Sequence, residues 1–390
     1  MMAQTVAVLG RQPALGIAEL ESIFGAAAIR RVGTGTAAEL TLEPSAFPME
    51  RLGGTIKAAK LLTYLPFTNW GHIEAYLAMA LPKHLPTIPE GKIRLGLSTY
   101  GLNVNLKRQN ATGLELKKVI KQAGRSVRVI PNNASELNTA QVQHNQLTGP
   151  TGLELLLIAD GKQVVLAQTF AVQDIDAYAA RDQARPKRDA RVGMLPPKLA
   201  QIITNLASPK AEGRLLDPFC GTGVVLQEAA LMGMQVYGTD IDERMVRYAR
   251  DNLNWLQEKY ALGMDWFLEI ADACDHHWQA FDTIACETYL GRPFSAIPAP
   301  AMLEQVIKDV DTIHTKFLKN LAKQTKPGFR LCIGVPAWKT KTGFKHLKTL
   351  DSLEKMGYTR VSFARARKED LIYHRPDQIV ARELVVLTRK

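Results

Sequence analysis

Apolar and polar positions alternate along this chain in two rhythms, and the change of rhythm near residue 174 divides it. In the first part, residues 5–9 (TVAVL) form a short apolar strand. Residues 15–24 place Ile17, Leu20, Ile23 and Phe24 on one face of a 3.6-residue period, which predicts a helix. A strand follows at 37–42 and a helix at 70–81. The Pro-rich PKHLPTIPEG stretch then breaks the chain. Residues 92–98 alternate as a strand, and 112–123 predict an amphipathic helix with Lys117, Lys118 and Lys121 outward. A short strand at 127–130 and a helix at 134–144, capped by Asn132 or Asn133, come next. Residues 154–159 and 163–172 predict a hairpin around Asp160-Gly161. The order is mixed, as in α+β proteins.

The second part alternates strands with helices, the pattern of a parallel α/β sheet. Residues 174–194 are polar, dense in Arg and poor in large apolar residues, which predicts a linker. Residues 195–207 predict a helix opened by Pro196-Pro197. Strands are expected at 215–217, 235–238, 266–270, 281–286, 329–335, 358–364 and 379–387. Helices are expected at 224–232, 242–256, 301–322 and 344–355.

Residues 214–242 carry the clearest chemistry: strand, glycine turn (Asp217-Pro218-Phe219-Cys220-Gly221-Thr222-Gly223), helix, strand, acid. Glycine lets backbone pass close to a ligand, and a helix N-terminus offers free N–H groups. Asp240, ending the second strand, can accept hydrogen bonds from the two hydroxyls of a ribose. The turn is neither G-x-G-x-x-G nor G-x-x-x-x-G-K-[ST]. An acid inside it suits a cationic ligand better than a pyrophosphate.

Composition narrows the picture. A chain of 390 residues with 46% hydrophobic content has material for two or three cored domains. No apolar run approaches the ~18 residues of a spanning helix. The start, MMAQTVAVLGR, lacks the basic region of a signal peptide, so a cytoplasmic location is expected. Cys220, Cys274, Cys286 and Cys332 form no C-x-x-C pair, and the crowded DACDHH string at 272–277 has no distant partner, so no metal is expected. Residues 319–390 hold 17 Lys and Arg against 6 Asp and Glu, which accounts for the whole net charge of +11 and suits a polyanion.

Two stretches carry a family resemblance. DPFCGTG, with its spaced acid, resembles motif I of the class I S-adenosylmethionine (SAM) methyltransferases. The combination RD-x-x-RPKRD-x-x-x-GMLPPKLAQIITNLA resembles the segment before motif I in the THUMP-containing tRNA guanosine N2-methyltransferases, the archaeal-type position-10 enzymes and their eukaryotic relatives. Residues 95–172 are similar to a THUMP domain, an RNA-binding module, on SVRVIPNNASELNTAQVQHNQL and ELLLIADGKQVVLAQTFAVQDID.

The resemblance implies a Rossmann-like α/β methyltransferase domain with a seven-stranded sheet, last strand antiparallel, preceded by an α+β THUMP-like region. The implied borders are 1–90 for an N-terminal ferredoxin-like subdomain, 91–175 for the THUMP-like domain, 176–209 for the linker and SAM-capping helix, and 210–390 for the methyltransferase domain. It implies SAM as cofactor, held by Pro196, Lys198, Asp217, Phe219, Gly221, Thr222, Gly223, Asp240, Ile241, Asp272, Ala273 and Glu287.

The fourth strand of such domains usually ends in Asp-Pro-Pro-Tyr; here it ends in Glu287-Thr288-Tyr289-Leu290. Glu287 then takes the acceptor role for the target amine and Tyr289, one position early, that of base platform. The implied reaction is methylation of the exocyclic N2 of a guanosine in tRNA. Lys107, Arg108, Lys117, Lys118, Lys121, Arg125, Arg185, Lys187, Arg188, Arg365, Arg367 and Lys368 are the expected RNA contacts. The implied partners are tRNA and, as in the eukaryotic relatives, a small activator subunit, the alternative being a monomer. Two other readings stay open: a DNA amine methyltransferase, or a non-catalytic RNA-binding protein that retains the fold. A cytosine-type nucleophile at Cys286 would need a preceding Pro, which is absent.

Overall fold

A computed structural model of the chain describes residues 3–189, 194–292, 294, 298–341, 343–376 and 378–390. The chain forms two compact units. The first comprises Met1–Pro13, Ala27–Glu50 and Thr55–Ile175, and the second Ala14–Ala26, Arg51–Gly54 and Asp176–Lys390.

The elements up to residue 172 are β1 (Thr5–Leu9), α1 (Pro13–Phe24), β2 (Ile29–Val32), β3 (Ala37–Leu40), β4 (Thr55–Leu65), α2 (Trp70–His84), β5 (Ile93–Tyr100), α3 (Leu106–Gln122), β6 (Val127–Val129), α4 (Thr139–His144), β7 (Gly152–Asp160) and β8 (Gln163–Val172). The first unit is built on one sheet of order β2-β3-β1-β4-β8-β7-β5-β6. That sheet runs unbroken across residue 90, because β4 pairs with β8. Strand β4 has no clean alternation: its register against β8 shifts between Ala58 and Ala59 and again between Leu61 and Thr63. Bulges of this kind erase the two-residue period by which a strand is read. Inside the unit, Lys57 pairs with Glu154, which also accepts from the hydroxyls of Ser98 (2.6 Å) and Thr169 (2.7 Å). Helix α4 is shorter than expected. A capping box of Asn138 and Gln141 starts it, whereas Asn132 is buried and donates to the Leu97 carbonyl (2.8 Å).

The second unit continues with α5 (Ile175–Gln183), α6 (Pro197–Ala207), β9 (Arg214–Asp217), α7 (Val224–Leu231), β10 (Gln235–Asp240), α8 (Glu243–Tyr260), β11 (Trp266–Ile270), β12 (Thr283–Glu287), α9 (Pro300–Ala322), β13 (Arg330–Thr340), β14 (Gly343–Lys345), β15 (Tyr358–Arg360), β16 (Ile372–Tyr373) and β17 (Val380–Arg389). Its sheet has the path β11-β10-β9-β12-β13-β17-β15, with β14 added to β13 and β16 to β17. The pairs from β11 to β13 are parallel, and β17 is antiparallel to both its neighbours. The path is thus the expected seven strands with an antiparallel last strand. Leu216, Ile284, Phe317, Leu331, Trp338 and Val385 are among the buried residues of its core.

Helix α1 and Arg51–Gly54 belong to this second unit despite their early place in the chain. Buried Glu19 on α1 accepts from Gly53 N (3.0 Å), Gly54 N (2.8 Å) and Asn205 Nδ2 (2.8 Å). Arg51 donates to Asn205 Oδ1 (2.7 Å) and to the carbonyls of Ser208 and Pro209.

Two expectations for this unit are corrected. The supposed linker contains helix α5, whose Tyr178 and Arg181 are buried. Arg181 donates to Glu228 on α7 (2.7 Å), and burial pushes the Glu228 carboxyl up to about 7. The helix expected at 344–355 is instead β14 followed by two short 3₁₀ turns, Lys348–Ser352 and Glu354–Met356. Leu347, Leu350, Leu353 and Met356 recur every third residue and all pack on the core. That spacing stacks side chains on one edge of a 3₁₀ turn but drifts around an α-helix.

Candidate active site

In a parallel α/β sheet, the loops at the carboxyl ends of the strands converge on one edge. Four acids stand there: Asp217 at the end of β9, Asp240 at the end of β10, Asp272 two residues past β11, and Glu287 at the end of β12. They line one cavity of about 630 Å³ together with Leu195, Phe219, Ile241, Tyr289, Arg292 and others.

The glycine turn is held by its own acids. Asp217, buried, accepts from Phe219 N (3.1 Å). Burial pushes its carboxyl well up, and the charges of Asp240 and Glu287 act the same way. Asp240 accepts from Gly221 N and Asp242 N, both at 2.9 Å, so its carboxylate ties the turn to the start of α8. Burial raises this carboxyl too. Asp272 accepts from Cys274 N (2.9 Å). Gly223 begins α7 at φ +80°, and a Cβ there would lie 3.2 Å from Ala249 Cβ. Only glycine meets both demands without strain.

The cavity takes in Asp217, Phe219, Gly221, Thr222, Asp240, Ile241, Asp272, Ala273, Glu287 and Tyr289 of the sequence-derived set. Pro196, Lys198 and Gly223 are not part of its wall, although Leu195 is. Lys198 lies 4.9 Å from the ring centre of Tyr178 instead. Ile241 is 69% exposed and Tyr289 45% exposed, so both offer flat apolar surface to a ligand.

The wall at β12 departs from expectation in one respect. Glu287 is not free: Arg382 Nε on β17 donates to its Oε1 at 2.6 Å. Burial raises the Glu287 carboxyl, and Arg382 works against that rise. Next to it, Thr288 is pinned by its backbone N–H, which donates to Gly334 O (3.0 Å), and by its hydroxyl at His314 Nε2 (2.6 Å). Burial lowers His314 to about 4, so the ring is neutral; its Nδ1–H donates to Val310 O and its Nε2 accepts from the Thr288 hydroxyl. Cys286 is buried and its thiol pushed well up, which opposes a thiolate role.

Asn252 on α8, like Arg382, gave no signal in the sequence. Its Nδ2 donates to Thr222 O (2.8 Å) and Lys187 O (3.0 Å), and its Oδ1 accepts from Lys187 N (2.9 Å). It joins the glycine turn to the segment before α6. Arg185 in that segment is 3% exposed, and its three guanidinium nitrogens have no hydrogen-bond partner among the described residues.

The expected RNA contacts divide. Lys107, Lys121 and Arg188 are exposed and Lys117 is half-buried. Arg125 donates to the carbonyls of Leu85, Ile88, Pro89 and Gly91, so its charge serves the chain's own turns. Arg108 pairs with Glu74, Lys118 with Glu115 and Arg367 with Asp370. Lys187 lies 3.6 Å from Asp251, and Lys368 lies 3.8 Å from Glu369. Arg365 N donates to Glu21 Oε2 (2.7 Å), as Ala364 N does to Oε1 (2.6 Å). Among the described residues, no three His, Cys, Asp or Glu side chains are grouped to hold a metal, and no helix is long and apolar enough to cross a membrane.

The strand order, the glycine turn and the row of acids define the class I methyltransferase fold, and residues 185–365 match the family described as UPF0020, RMKL-like, methyltransferase domain. The matched stretch, a little under half of the chain, lies within the second unit. Among similar sequences, the tRNA (guanine(10)-N2)-dimethyltransferase of Methanothermobacter thermautotrophicus is 53% identical over 74 residues, 18% of this chain and 22% of that protein. The enzyme of the same name from Pyrococcus abyssi is 34% identical over 146 residues, 37% of this chain and 39% of that protein. The matched stretches thus span well under half of either relative. Among solved structures, TrmN from Thermus thermophilus superposes with a TM-score of 0.53 at 16% identity, covering 100% of both chains. SMU.472 in complex with SAH gives 0.53 at 12% identity, covering 100% of this chain and 99% of that one. Both share the fold.

Proposed function

We propose that this chain is a SAM-dependent tRNA methyltransferase that modifies the exocyclic N2 of a guanosine, at position 10 by likeness to its relatives. The observation that carries the reading is the cavity edge where Asp217, Asp240, Asp272 and Glu287 end or follow four neighbouring strands. The names of the archaeal relatives supply the substrate class.

The acceptors present fit SAM. Asp240 would accept from the ribose hydroxyls and Asp272 from the adenine amine, and Ile241 would cover the base. The carboxylates favour the cationic end over a phosphate. Bound there, SAM supplies an activated methyl group. The chain's own residues then do three things. Tyr289 offers its face to a base drawn from its stack. Glu287 accepts an N–H of the target amine and so sharpens the nitrogen lone pair. The rigid strand ends hold amine and donor in line.

In this reading the first unit is the THUMP-like RNA-binding part, with Lys107, Lys117 and Lys121 meeting phosphates, and the basic residues of 319–390 in the second unit do the same. The test is transfer of labelled methyl to tRNA followed by nucleoside mapping. N2-methylguanosine at position 10, lost when that guanosine is replaced, is the expected result. Transfer to duplex DNA but not tRNA, or SAM binding without transfer, would overturn the proposal in favour of a DNA enzyme or a non-catalytic binder.

A further inference from the structure

Of the four carboxylates at the cavity edge, Glu287 is the one joined to a cation among the described residues. Its partner, Arg382, is buried and reaches past β13 from β17, where it stands opposite Pro336. A second nitrogen of the same guanidinium donates to Gln378 Oε1 (3.2 Å), which fixes the fork from behind. The next residue, Glu383, is engaged elsewhere, by Arg360 (2.8 Å) and by His346, and does not compete for Arg382.

We propose that Arg382 is a positioning residue for methyl transfer: it holds Glu287 by one oxygen and leaves the other free to accept an N–H of the target amine. The inference rests on the function proposed above. Glu287 is followed by Thr288 and Tyr289, neither of which fixes its own backbone as a proline would. Two ties hold this strand end instead: Arg382 on Glu287, and His314 with Gly334 on Thr288.

The pair also sets the charge state. Facing Glu287 are Asp217 from β9, the neutral Cys286 thiol on its own strand, and Arg382 from β17. Burial favours a protonated carboxyl, which would be a poorer acceptor. Arg382 is the opposing influence, and without it Glu287 takes up a proton more readily.

The experiment is single-turnover methyl transfer to tRNA at saturating SAM, over pH ~5.5 to ~9, for the wild type, Arg382→Gln, Arg382→Lys, Glu287→Gln and the Glu287→Gln/Arg382→Gln double variant. Melting temperature and SAM affinity are measured beside it. The expected result has four parts. Arg382→Gln loses about 10²-fold in rate with SAM affinity unchanged. Its acid limb moves to higher pH. Arg382→Lys recovers part of the rate. The double variant is little worse than Glu287→Gln alone, as for residues acting in series. Losses that add in the double variant, or a rate loss matched by loss of SAM binding, assign Arg382 a structural role and overturn the proposal. An Arg382→Gln enzyme with the wild-type rate and pH profile does so as well. If Arg382→Gln does not fold, Arg382→Lys decides: a wild-type pH profile together with a rate loss that adds to that of Glu287→Gln in the Glu287→Gln/Arg382→Lys double variant counts against. A wild type that binds SAM but transfers nothing to tRNA fails the functional reading itself, which the wild-type arm shows before any variant is made.

Discussion

Replacing Asn252 by Ala removes three hydrogen bonds that join the glycine turn at Thr222 to the backbone of Lys187. Asn252 is 0% exposed, so nothing substitutes for its amide from its own side. Bonds of this kind contribute about 0.5–1.5 kcal/mol each. Thr222 and Lys187 are half-buried, so water can reach part of what is released. The loss expected is therefore about 2–4 kcal/mol, or a fall of about 5–15 °C in melting temperature for a domain of this size class. Thr222 also lines the cavity, so a loosened turn should weaken SAM about tenfold, near 1.4 kcal/mol. Asn252→Asp is the sharper perturbation. It keeps the acceptor for Lys187 N but sets a buried carboxylate oxygen against two carbonyls, and should cost at least as much as Ala. Thermal unfolding and SAM titration by calorimetry measure both quantities. An Asn252→Ala protein melting within ~1 °C of wild type and binding SAM normally would refute the idea that this amide clamps the site.

Four further outcomes follow from the same geometry. Asp240→Ala should weaken SAM by about 1–3 kcal/mol, and an unchanged affinity by calorimetry would remove the ribose assignment. Gly223→Ala must place a Cβ at φ +80° and 3.2 Å from Ala249 Cβ, so unfolding should show a loss of about 2–4 kcal/mol, and no loss would refute the strain. Arg125→Ala should lower the melting temperature more than it weakens tRNA binding, whereas Lys121→Ala should lower the slope of log affinity against log salt by about one contact with little change in stability. Glu228 has a folded value of about 7 against an ordinary 4.5, so the native state holds more protons between them; its contribution is present at low pH and lost as pH rises through about 7. Wild type should accordingly lose stability relative to Glu228→Gln from pH about 4.5 to about 7 and run parallel above, by denaturant titration at each pH.

The row of acids at 217, 240, 272 and 287 was legible because each sits within a few residues of an apolar strand, and strand ends in a βαβ pattern face one edge by geometry alone. Partners of those acids were not legible in the same way. Arg382 lies 95 positions from Glu287 and Asn252 lies 30 from Thr222, and no local period ties such residues together. The basic residues misled for a related reason. A lysine or arginine in a sequence reads as free charge, whereas Arg125 spends its donors on four carbonyls and Arg108 is taken by Glu74. Strand β4 escaped because its bulges break the alternation, and the region after β14 because a three-residue spacing can be mistaken for a helical one.

Helix α1 has a consequence for how this protein is made. It is synthesised before the segment that completes it, since its buried Glu19 meets Asn205, 186 positions later. At roughly 5–20 residues per second, that interval is roughly ten to forty seconds. Over that time an apolar helix with a buried-type acid waits for the chain that will cover it. Moreover, because Ala14–Ala26 and Arg51–Gly54 are threaded between segments of the other unit, no single cut of the polypeptide yields both units whole. A fragment begun at residue 176 would lack the carboxylate that Asn205 meets and the arginine that caps the Ser208 and Pro209 carbonyls. Synthesis from the N-terminus therefore binds the fate of the two units together, and the early helix is a part delivered long before its socket.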